Sequence, residues 1–255
     1  MQKQRRKIIR HSLVTGALLL FATGPAIMFF NGEVDIYRDW RKADKHSAGL
    51  APDPASTPEA VVQVYAARAV KWRGIFAVHT WIATKPENAD QYTVHHVLGW
   101  NERRGLPIVV SRQDIPDRLW YGNKPILVKE LRGNKATQAI IAIQQAINNY
   151  PYINDYTAWP GPNSNTFIAH IGRQVSELKL DLPSTAIGKD FLSISDFISR
   201  TPSGSGFQLS LFGLFGILIS RYEGFEVNLL GLVVGLDPAE GIIKLPGIGR
   251  IGFGR

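Results

Sequence analysis

The sequence contains no cysteine, and that absence excludes several kinds of site. Disulfides, thiolate-bound metals and a cysteine nucleophile all require this residue. What the chain does have is 255 residues, of which 45% are hydrophobic. A chain of this length can bury one sizeable core and carry a small appendage. We therefore expect one main domain.

The chain also has little net charge outside its first ten residues. The formal charge is +8 at pH 7, and five of these charges belong to basic side chains within residues 1–10. Subtracting five from eight leaves +3 for the rest of the chain. This basic excess is too small to indicate a nucleic-acid partner. We expect no nucleic acid to bind.

Metal-ligand spacings are also missing. His95 and His96 are adjacent, so in a strand they point to opposite faces. No acidic residue lies near them at a spacing typical of a metal site. The sequence therefore predicts neither a metal nor a cofactor.

Charged residues are absent from the 20-residue stretch 11–30, which predicts a transmembrane helix because a bilayer core needs about 20 apolar residues. The basic segment before it predicts a cytoplasmic N-terminus. The main domain would then lie on the outer, periplasmic face of the inner membrane, in a single-pass protein with the lipid bilayer as a partner. A cleaved signal peptide is the alternative. We favour an uncleaved signal anchor, because the apolar run continues past Pro25 without a small-x-small cleavage site.

The remainder of the chain divides into three parts. Residues 31–56 mix both charges with glycine and proline, which is typical of a linker. Residues 57–200 are predicted to form an α+β domain, and residues 201–255 a glycine-rich β-hairpin extension. The domain begins with Thr57-Pro58-Glu59, a typical helix opening, and we expect a short amphipathic helix from there to Ala69.

Two predicted strands carry three of the six histidines. Residues 74–84 and 92–100 are rich in β-branched and aromatic side chains, and a polar turn between them predicts a hairpin. The first strand holds His79, and the second holds His95 and His96. His79 is then expected to face one of the other two. A single histidine usually only fills a strand face, but three on one hairpin weaken that interpretation.

Further strands are predicted over residues 106–110 and 126–131, and a helix with an apolar stripe over residues 135–149. In the C-terminal part, two apolar segments at 211–219 and 225–236 are too short or too polar to cross a membrane. We expect these segments to pair as two strands, with a re-entrant or second spanning segment as the alternative.

A helix start is predicted at Ser164. Prolines and a glycine exclude helix up to Pro162, Asn163 and Ser164 are strong N-cap types, and apolar residues then recur at helical spacing. Unpaired backbone N–H groups and the helix dipole surround such a side chain, and a nucleophile and its oxyanion hole can share that environment. An ordinary helix cap is the simpler interpretation of the same residues.

Two family resemblances bear on this stretch. The order of elements resembles that of the circularly permuted papain-like proteins. In this order, a strand with a histidine is followed by a second strand with a polar partner and later by a helix that opens with Asn-Ser-Asn-Thr-Phe. These papain-like proteins include NlpC-type relatives and lecithin:retinol acyltransferase, where the opening reads Asn-Cys-x-x-Phe, so Ser164 takes the place of cysteine. Over more of its length the chain resembles the uncharacterised bacterial family called domain of unknown function 3750, through residues 159–167, 185–190 and 245–250.

The papain-like resemblance implies a fold and a set of roles. The fold is an antiparallel sheet packed on helices. Ser164 takes the position of the nucleophile, His79 that of the general base, and His95 or His96 that of the group that orients the base. A serine hydroxyl, unlike a thiol, depends wholly on concerted proton removal by such a base.

Two functions follow from these expectations. The first is a membrane-anchored Ser/His hydrolase or acyltransferase that acts on amide or ester bonds of cell-envelope peptides or lipids. The second is a non-catalytic module of the same fold that binds an envelope ligand or a protein partner. A hydrogen bond between Ser164 and His79 in an open cleft favours the enzyme, and a sealed His79 favours the module. The candidates for ligand contact are Trp81, Trp159, Asn163, Asn165 and Thr166.

Overall fold

The computed structural model describes residues 2–37, 39 and 41–252, and within them the protein is α+β. The helices are α1 (Gln2–Phe30), α2 (Asn134–Asn148) and α3 (Ser164–Gln174). A first antiparallel sheet contains β1 (Val61–Arg68), β2 (Val78–Lys85), β3 (Thr93–Val97), β4 (Val109–Gln113) and β5 (Ile126–Arg132). A second contains β6 (Ile198–Arg200), β7 (Gly206–Leu211), β8 (Phe215–Ser220), β9 (Gly224–Leu229), β10 (Leu232–Asp237), β11 (Ile242–Leu245) and β12 (Gly249–Gly252).

The first sheet has the order β4-β3-β2-β1-β5. Its strand β1 lies where the sequence predicted an amphipathic helix, and that prediction is wrong. The three β-branched residues Val61, Val62 and Val64 favour a strand. They are all fully buried because both faces of β1 are covered, so the strand lacks the polar alternation that would have identified it.

The two faces of this sheet have different neighbours. On the face that we call the helix face, Val78 and Ile82 pack in one core cluster with residues of α2 and α3. On the opposite face, which we call the aromatic face, Tyr65 and Trp81 pack in a second cluster with Trp120. Successive residues of a strand point to opposite faces. Neighbours in β2 therefore lie in different environments.

Several predicted elements are confirmed. The β2–β3 hairpin is antiparallel, with Ile82 paired to His95. Helix α2 lies within one residue of its predicted bounds. Helix α3 begins at Ser164 as predicted and ends at Gln174, and a short 3-10 turn follows at Ser176–Leu178.

The second sheet is a meander of seven strands in the order β12-β11-β10-β9-β8-β7-β6. The predicted pairing around Arg221 and Tyr222 is present as the β8–β9 hairpin, in which Ile219 pairs with Phe225. That hairpin is part of a larger sheet. Glycines with positive φ form several of its tight turns, including Gly213 at φ 70° and Gly231 at φ 80°.

A buried network of charges joins the second sheet to the segment that follows α3. Glu226 of β9 accepts hydrogen bonds from Lys189 at 2.5 Å and from Lys244 of β11 at 2.7 Å. Lys189 also contacts Asp190 at 3.1 Å, and Lys244 contacts Asp181 at 3.0 Å. Although burial opposes ionisation of Glu226, the two lysines lower the pKa of its carboxyl. The carboxylate therefore stays charged inside the protein.

Helix α1 contains the segment predicted as a membrane anchor, and its C-terminal end packs on the turn between β11 and β12. Gly24, Pro25 and Met28 are buried there. A Cβ atom at Gly24 would lie only 1.8 Å from the carbonyl oxygen of Pro246, so glycine permits this close approach. Among the residues that the structure describes, no helix combines the length and the apolar character that a membrane span requires.

We expect the substitution Glu226→Ala to destabilise the protein by about 3–5 kcal/mol, because it leaves two buried ammonium groups without their shared carboxylate. The measurement is urea unfolding of the full chain, followed by tryptophan fluorescence. The control is Glu240→Ala, since Glu240 is an exposed glutamate in the turn between β10 and β11. Its free energy of unfolding should stay within about 0.5 kcal/mol of wild type. Equal effects of the two substitutions would contradict a structural role for the network.

Candidate functional site

The start of α3 is built by its own side chains. Asn163 accepts hydrogen bonds from the backbone N–H groups of Asn165 at 2.9 Å and Thr166 at 3.3 Å. In return, the Thr166 hydroxyl accepts from the backbone N–H of Asn163 at 3.1 Å. This reciprocal pair is a capping box, which satisfies backbone donors that the helix leaves free. The cap function that the sequence predicted for this stretch belongs to Asn163.

Asn165 clamps the first turn of α3 to β2. Its side-chain amide donates to the carbonyl oxygens of Val78 at 3.0 Å and Ile187 at 2.7 Å. Its side-chain oxygen accepts from the Thr80 hydroxyl at 2.9 Å. The neighbouring Asn163 and Thr166 likewise donate to backbone carbonyls within the protein. Three of the five predicted ligand contacts, Asn163, Asn165 and Thr166, are thus engaged in internal hydrogen bonds.

Ser164 is buried at the first position of α3, and its carbonyl oxygen accepts from the Thr80 hydroxyl at 3.4 Å. Among the hydrogen bonds of the described residues, none joins the Ser164 hydroxyl to a histidine. The reason lies in the alternation of β2. Val78 and Thr80 point towards α3, so the side chain of His79 between them points to the aromatic face.

His79 is stacked between aromatic rings. Its ring lies parallel to that of Trp120, with centroids 3.7 Å apart and 8° between the planes. The ring of His96 lies 5.7 Å away, so the hairpin brings these two histidines together as predicted. Nε2 of His79 and both ring nitrogens of His96 are buried without a hydrogen-bond partner among the described residues. Such unpaired buried atoms are rare in native proteins.

Burial determines the protonation of this pair. It lowers the pKa of His79 well below its usual value, and the neighbouring His96 lowers it further. Burial also lowers the pKa of His96, to about 3. Both rings are therefore neutral at neutral pH. A base with so low a pKa has little driving force to take a proton from a hydroxyl.

His95 lies on the helix face, away from the other two histidines. One ring nitrogen, Nε2, is 3.0 Å from the Thr84 hydroxyl, and the other, Nδ1, is 2.8 Å from the Ser111 hydroxyl. Burial lowers the pKa of its ring to about 4. Both nitrogens are occupied, so its ring is held in place by neighbouring strands.

The two tryptophan candidates differ in exposure. Trp81 is fully buried, and its indole N–H donates to the carbonyl oxygen of Pro116 at 2.7 Å. Trp159 is 52% exposed, and its indole N–H donates to the carbonyl oxygen of Leu230, in the turn between β9 and β10, at 2.9 Å. Of the predicted ligand contacts, Trp159 is the one that reaches the surface, at one end of the second sheet.

The loop between β4 and β5 contributes Trp120, which the sequence did not single out for the site. Trp120 covers His79, and Asp117 accepts hydrogen bonds from the Ser47 hydroxyl at 2.8 Å and the backbone N–H of Leu50 at 2.6 Å. A groove of about 500 Å³ opens beside this loop, lined by residues from the segments 51–54, 90–92 and 113–117. Two adjacent aromatic residues, Trp120 and Tyr121, are unusual in a polar loop, and this pair was the feature of the sequence that could have indicated the role of the loop.

Comparison with known proteins gives one match. The sequence model of a family described as "Protein of unknown function (DUF3750)" matches residues 59–191. The matched range contains the first sheet, α2 and α3, and it ends before β6. No curated protein and no solved structure matches the chain.

Asn165→Ala should destabilise the protein by about 2–4 kcal/mol, because it removes three hydrogen bonds that hold α3, namely those to the Val78 carbonyl, the Ile187 carbonyl and the Thr80 hydroxyl. The matched control is the adjacent substitution Ser164→Ala, because the hydrogen bond at Ser164 is made by its backbone carbonyl and survives the change. In this control the free energy of unfolding should fall by less than about 1 kcal/mol. Urea unfolding of both full-chain variants measures the difference. A larger loss from Ser164→Ala than from Asn165→Ala would show that the serine, and not the asparagine, holds α3 in place.

Stability should fall as the pH drops below about 6.5, the usual pKa of histidine in an unfolded chain. Because the folded pKa values of His95 and His96 are depressed to about 4 and about 3, the unfolded state binds more protons between those values and 6.5. At pH 5, each of these two rings then lowers the free energy of unfolding by at most about 2 kcal/mol. Urea midpoints measured at several pH values test this. His96→Leu should make the pH dependence shallower, and an unchanged pH dependence in this variant would contradict the assignment.

Proposed function

Because the chain belongs to the DUF3750 family through residues 59–191, we propose that this family domain is a non-catalytic binding module of the bacterial cell envelope. Its ligand is an envelope component or a protein partner. The finer fold that we propose is the permuted papain-like one, with α2 and α3 packed on the first antiparallel sheet. Helix α1 would be its membrane anchor.

The observation that carries this proposal is the separation of Ser164 from a base. A serine hydroxyl becomes a nucleophile only when a neighbouring group takes its proton. Among the described residues the hydroxyl has no histidine partner, and His79 belongs to the aromatic face, under Trp120. The side chains around Ser164 hold the helix instead, because Asn163 and Asn165 form hydrogen bonds with α3, β2 and Ile187.

The membrane location is supported by the distribution of charge and apolar surface along α1. Five basic residues precede a stretch of 20 residues without charge. Within that stretch, Leu19, Phe29 and Phe30 are more than half exposed. Exposed apolar side chains of this size are costly in water and favourable in a bilayer. We propose a single-pass protein of the inner membrane, with its main domain on the periplasmic side.

The groove beside the β4–β5 loop is a suitable place for a ligand. Its volume of about 500 Å³ lies within the range of about 300–1,000 Å³ that is typical of small-molecule sites. Asp53, Asp90 and Tyr92 are among the residues that line it. Carboxylates and a phenol favour a ligand with hydrogen-bond donors or positive charge.

The second candidate is the Ser/His hydrolase or acyltransferase that acts on envelope amides or esters. Two observations favour it: Nε2 of His79 is buried without a partner among the described residues, and Ser164 lies at the positive end of α3. In this candidate, His79 takes the proton of the Ser164 hydroxyl as its oxygen attacks the substrate carbonyl, and His96 orients His79. Backbone N–H groups at the helix start receive the oxyanion, and the leaving group departs with the proton.

Labelling with a fluorophosphonate separates the two candidates, because this probe reacts only with an activated serine. The full chain is labelled in detergent beside the variants Ser164→Ala and His79→Asn, with Ser195→Ala as a control at a surface serine. We expect the wild type to label no more than Ser164→Ala. Labelling of the wild type and of Ser195→Ala that disappears in Ser164→Ala would overturn the non-catalytic proposal and establish the enzyme.

A further inference from the structure

One face of the second sheet is apolar and uncovered among the described residues. From β7 to β11, every side chain that points to this side is Phe, Leu, Ile or Val. Several of them are large and about half exposed, such as Phe207 at 65%, Ile219 at 64% and Ile217 at 49%. We call this surface the apolar sheet face. Its members are Ile198, Phe207, Leu209, Leu211, Phe215, Ile217, Ile219, Phe225, Val227, Leu229, Leu232, Val234, Leu236, Ile243, Leu245 and Ile251.

The strand register makes this surface continuous. One row of paired residues crosses six strands, and its members are Phe207, Ile219, Phe225, Leu236, Ile243 and Ile251. A second row runs through Ile198, Leu209, Ile217, Val227 and Val234, and a third through Leu211, Phe215, Leu229 and Leu232. The apolar side chains are therefore neighbours across β7–β11, and on β6 the first row continues with Arg200, which pairs with Phe207.

The opposite face of the same strands carries the polar residues, and it is the buried one. Gln208, Glu226 and Lys244 are all at most 2% exposed, and they lie against the body of the protein. Half-buried sheets normally turn their apolar face to the core and their polar face to water. Here the orientation is reversed, so the apolar sheet face is not part of the protein's own core.

The size of the face calls for a cover. The strands β7–β10 contain six residues each, and β6, β11 and β12 contain three or four. At usual strand spacings of about 4.8 Å and a rise of about 3.3 Å per residue, the face covers roughly 600 Å². The largest exposed apolar patch of a typical monomer is about 300–600 Å² and is often functional, and this face lies at the top of that range.

We propose that the apolar sheet face lies on the lipid bilayer, with its side chains in contact with the acyl chains. This inference rests on the membrane location proposed above, but it does not depend on the chemistry of Ser164. It assigns the second sheet, which lies outside the matched family range, a role as a lipid-binding surface.

The chemistry of the face favours lipid over a protein partner. Protein interfaces carry about one hydrogen bond per 100–200 Å², yet the outward positions of β7–β11 include no side chain that can form one. Inner strands of the sheet pair their backbone groups with both neighbours. Acyl chains offer no hydrogen-bond partners and would leave none of these groups unsatisfied.

The position of α1 favours lipid as well. Its C-terminal end packs on the turn between β11 and β12, at one end of the second sheet, and Phe29 and Phe30 of this helix end are exposed. At the same end of the sheet, the turns expose Phe212 and Leu230, and Trp159 lies beside Leu230. Tryptophan is enriched where a protein meets the membrane interface. Helix α1 thus meets the second sheet at the end where these apolar turns lie.

The absence of native cysteine allows a direct test by site-directed spin labelling of the full chain. Single variants Ile217→Cys and Ile243→Cys place a nitroxide on the apolar sheet face. Leu19→Cys places one on α1, and Ile141→Cys places one on an isoleucine of α2 that is 61% exposed. Each variant is reconstituted into vesicles of phosphatidylethanolamine and phosphatidylglycerol. Collision rates with oxygen, which concentrates in lipid, and with a water-soluble nickel chelate are then measured.

We expect the ratio of oxygen to nickel collisions at positions 217 and 243 to match that at position 19, and to exceed the ratio at position 141 severalfold. If positions 217 and 243 resemble 141 while 19 remains in lipid, the face is in water and the inference fails, although the membrane location stands. Low collision rates with both reagents, together with dipolar broadening between labels, would mean that a second copy covers the face, which also overturns the inference. If position 19 also resembles 141, the membrane location fails too.

Discussion

The carboxylate of Glu226 determines how the second sheet sits on the protein. It lies between the ammonium groups of Lys189 and Lys244, and all three side chains are buried. Removing charged groups from water is expensive unless they are paired this closely. The sheet can keep these pairs only with its polar face inward. Since a shift of one residue in a strand exchanges its two faces, the same ion pairs direct the phenylalanine, leucine and isoleucine side chains of β7–β11 outward.

The same alternation separates the predicted catalytic residues. Thr80 and Val78 of β2 receive the first turn of α3 through Asn165, and the strand cannot present His79 to the same side. The helix start has the features that an acyl-transfer site needs, namely a capped N-terminus and a serine at its first position. Among the described residues it lacks a base beside that serine. The capping box and the Asn165 clamp explain these residues as structure, and the stacked pair of His79 and Trp120 is a separate feature on the other face.

Local patterns predicted the elements that local chemistry decides. The cap at Asn163, the apolar stripe of α2 and the β2–β3 hairpin all depend on residues close in sequence. Strand β1 was mistaken for a helix because tertiary contacts bury both of its faces, which removes the alternation by which strands are recognised. In β7, Phe207, Leu209 and Leu211 do alternate with Gln208 and Ser210. That pattern identifies a half-buried strand, but it cannot reveal that the polar half faces inward, because Arg173, which donates to Gln208, lies on a distant segment.

An uncovered face of this kind is a strong driving force for association. At about 25 cal/mol per Å², covering an apolar surface of about 600 Å² is worth up to roughly 15 kcal/mol before the costs of association are subtracted. A second copy of the chain would have to diffuse to the face and lose its freedom of motion. If α1 is inserted in a bilayer, the bilayer does not have to diffuse to the face. Attachment through α1 raises the effective concentration of lipid at the apolar sheet face. With α1 as the proposed anchor, the helix and the apolar sheet face would act together, and lipid is the partner that the helix would bring to the sheet first.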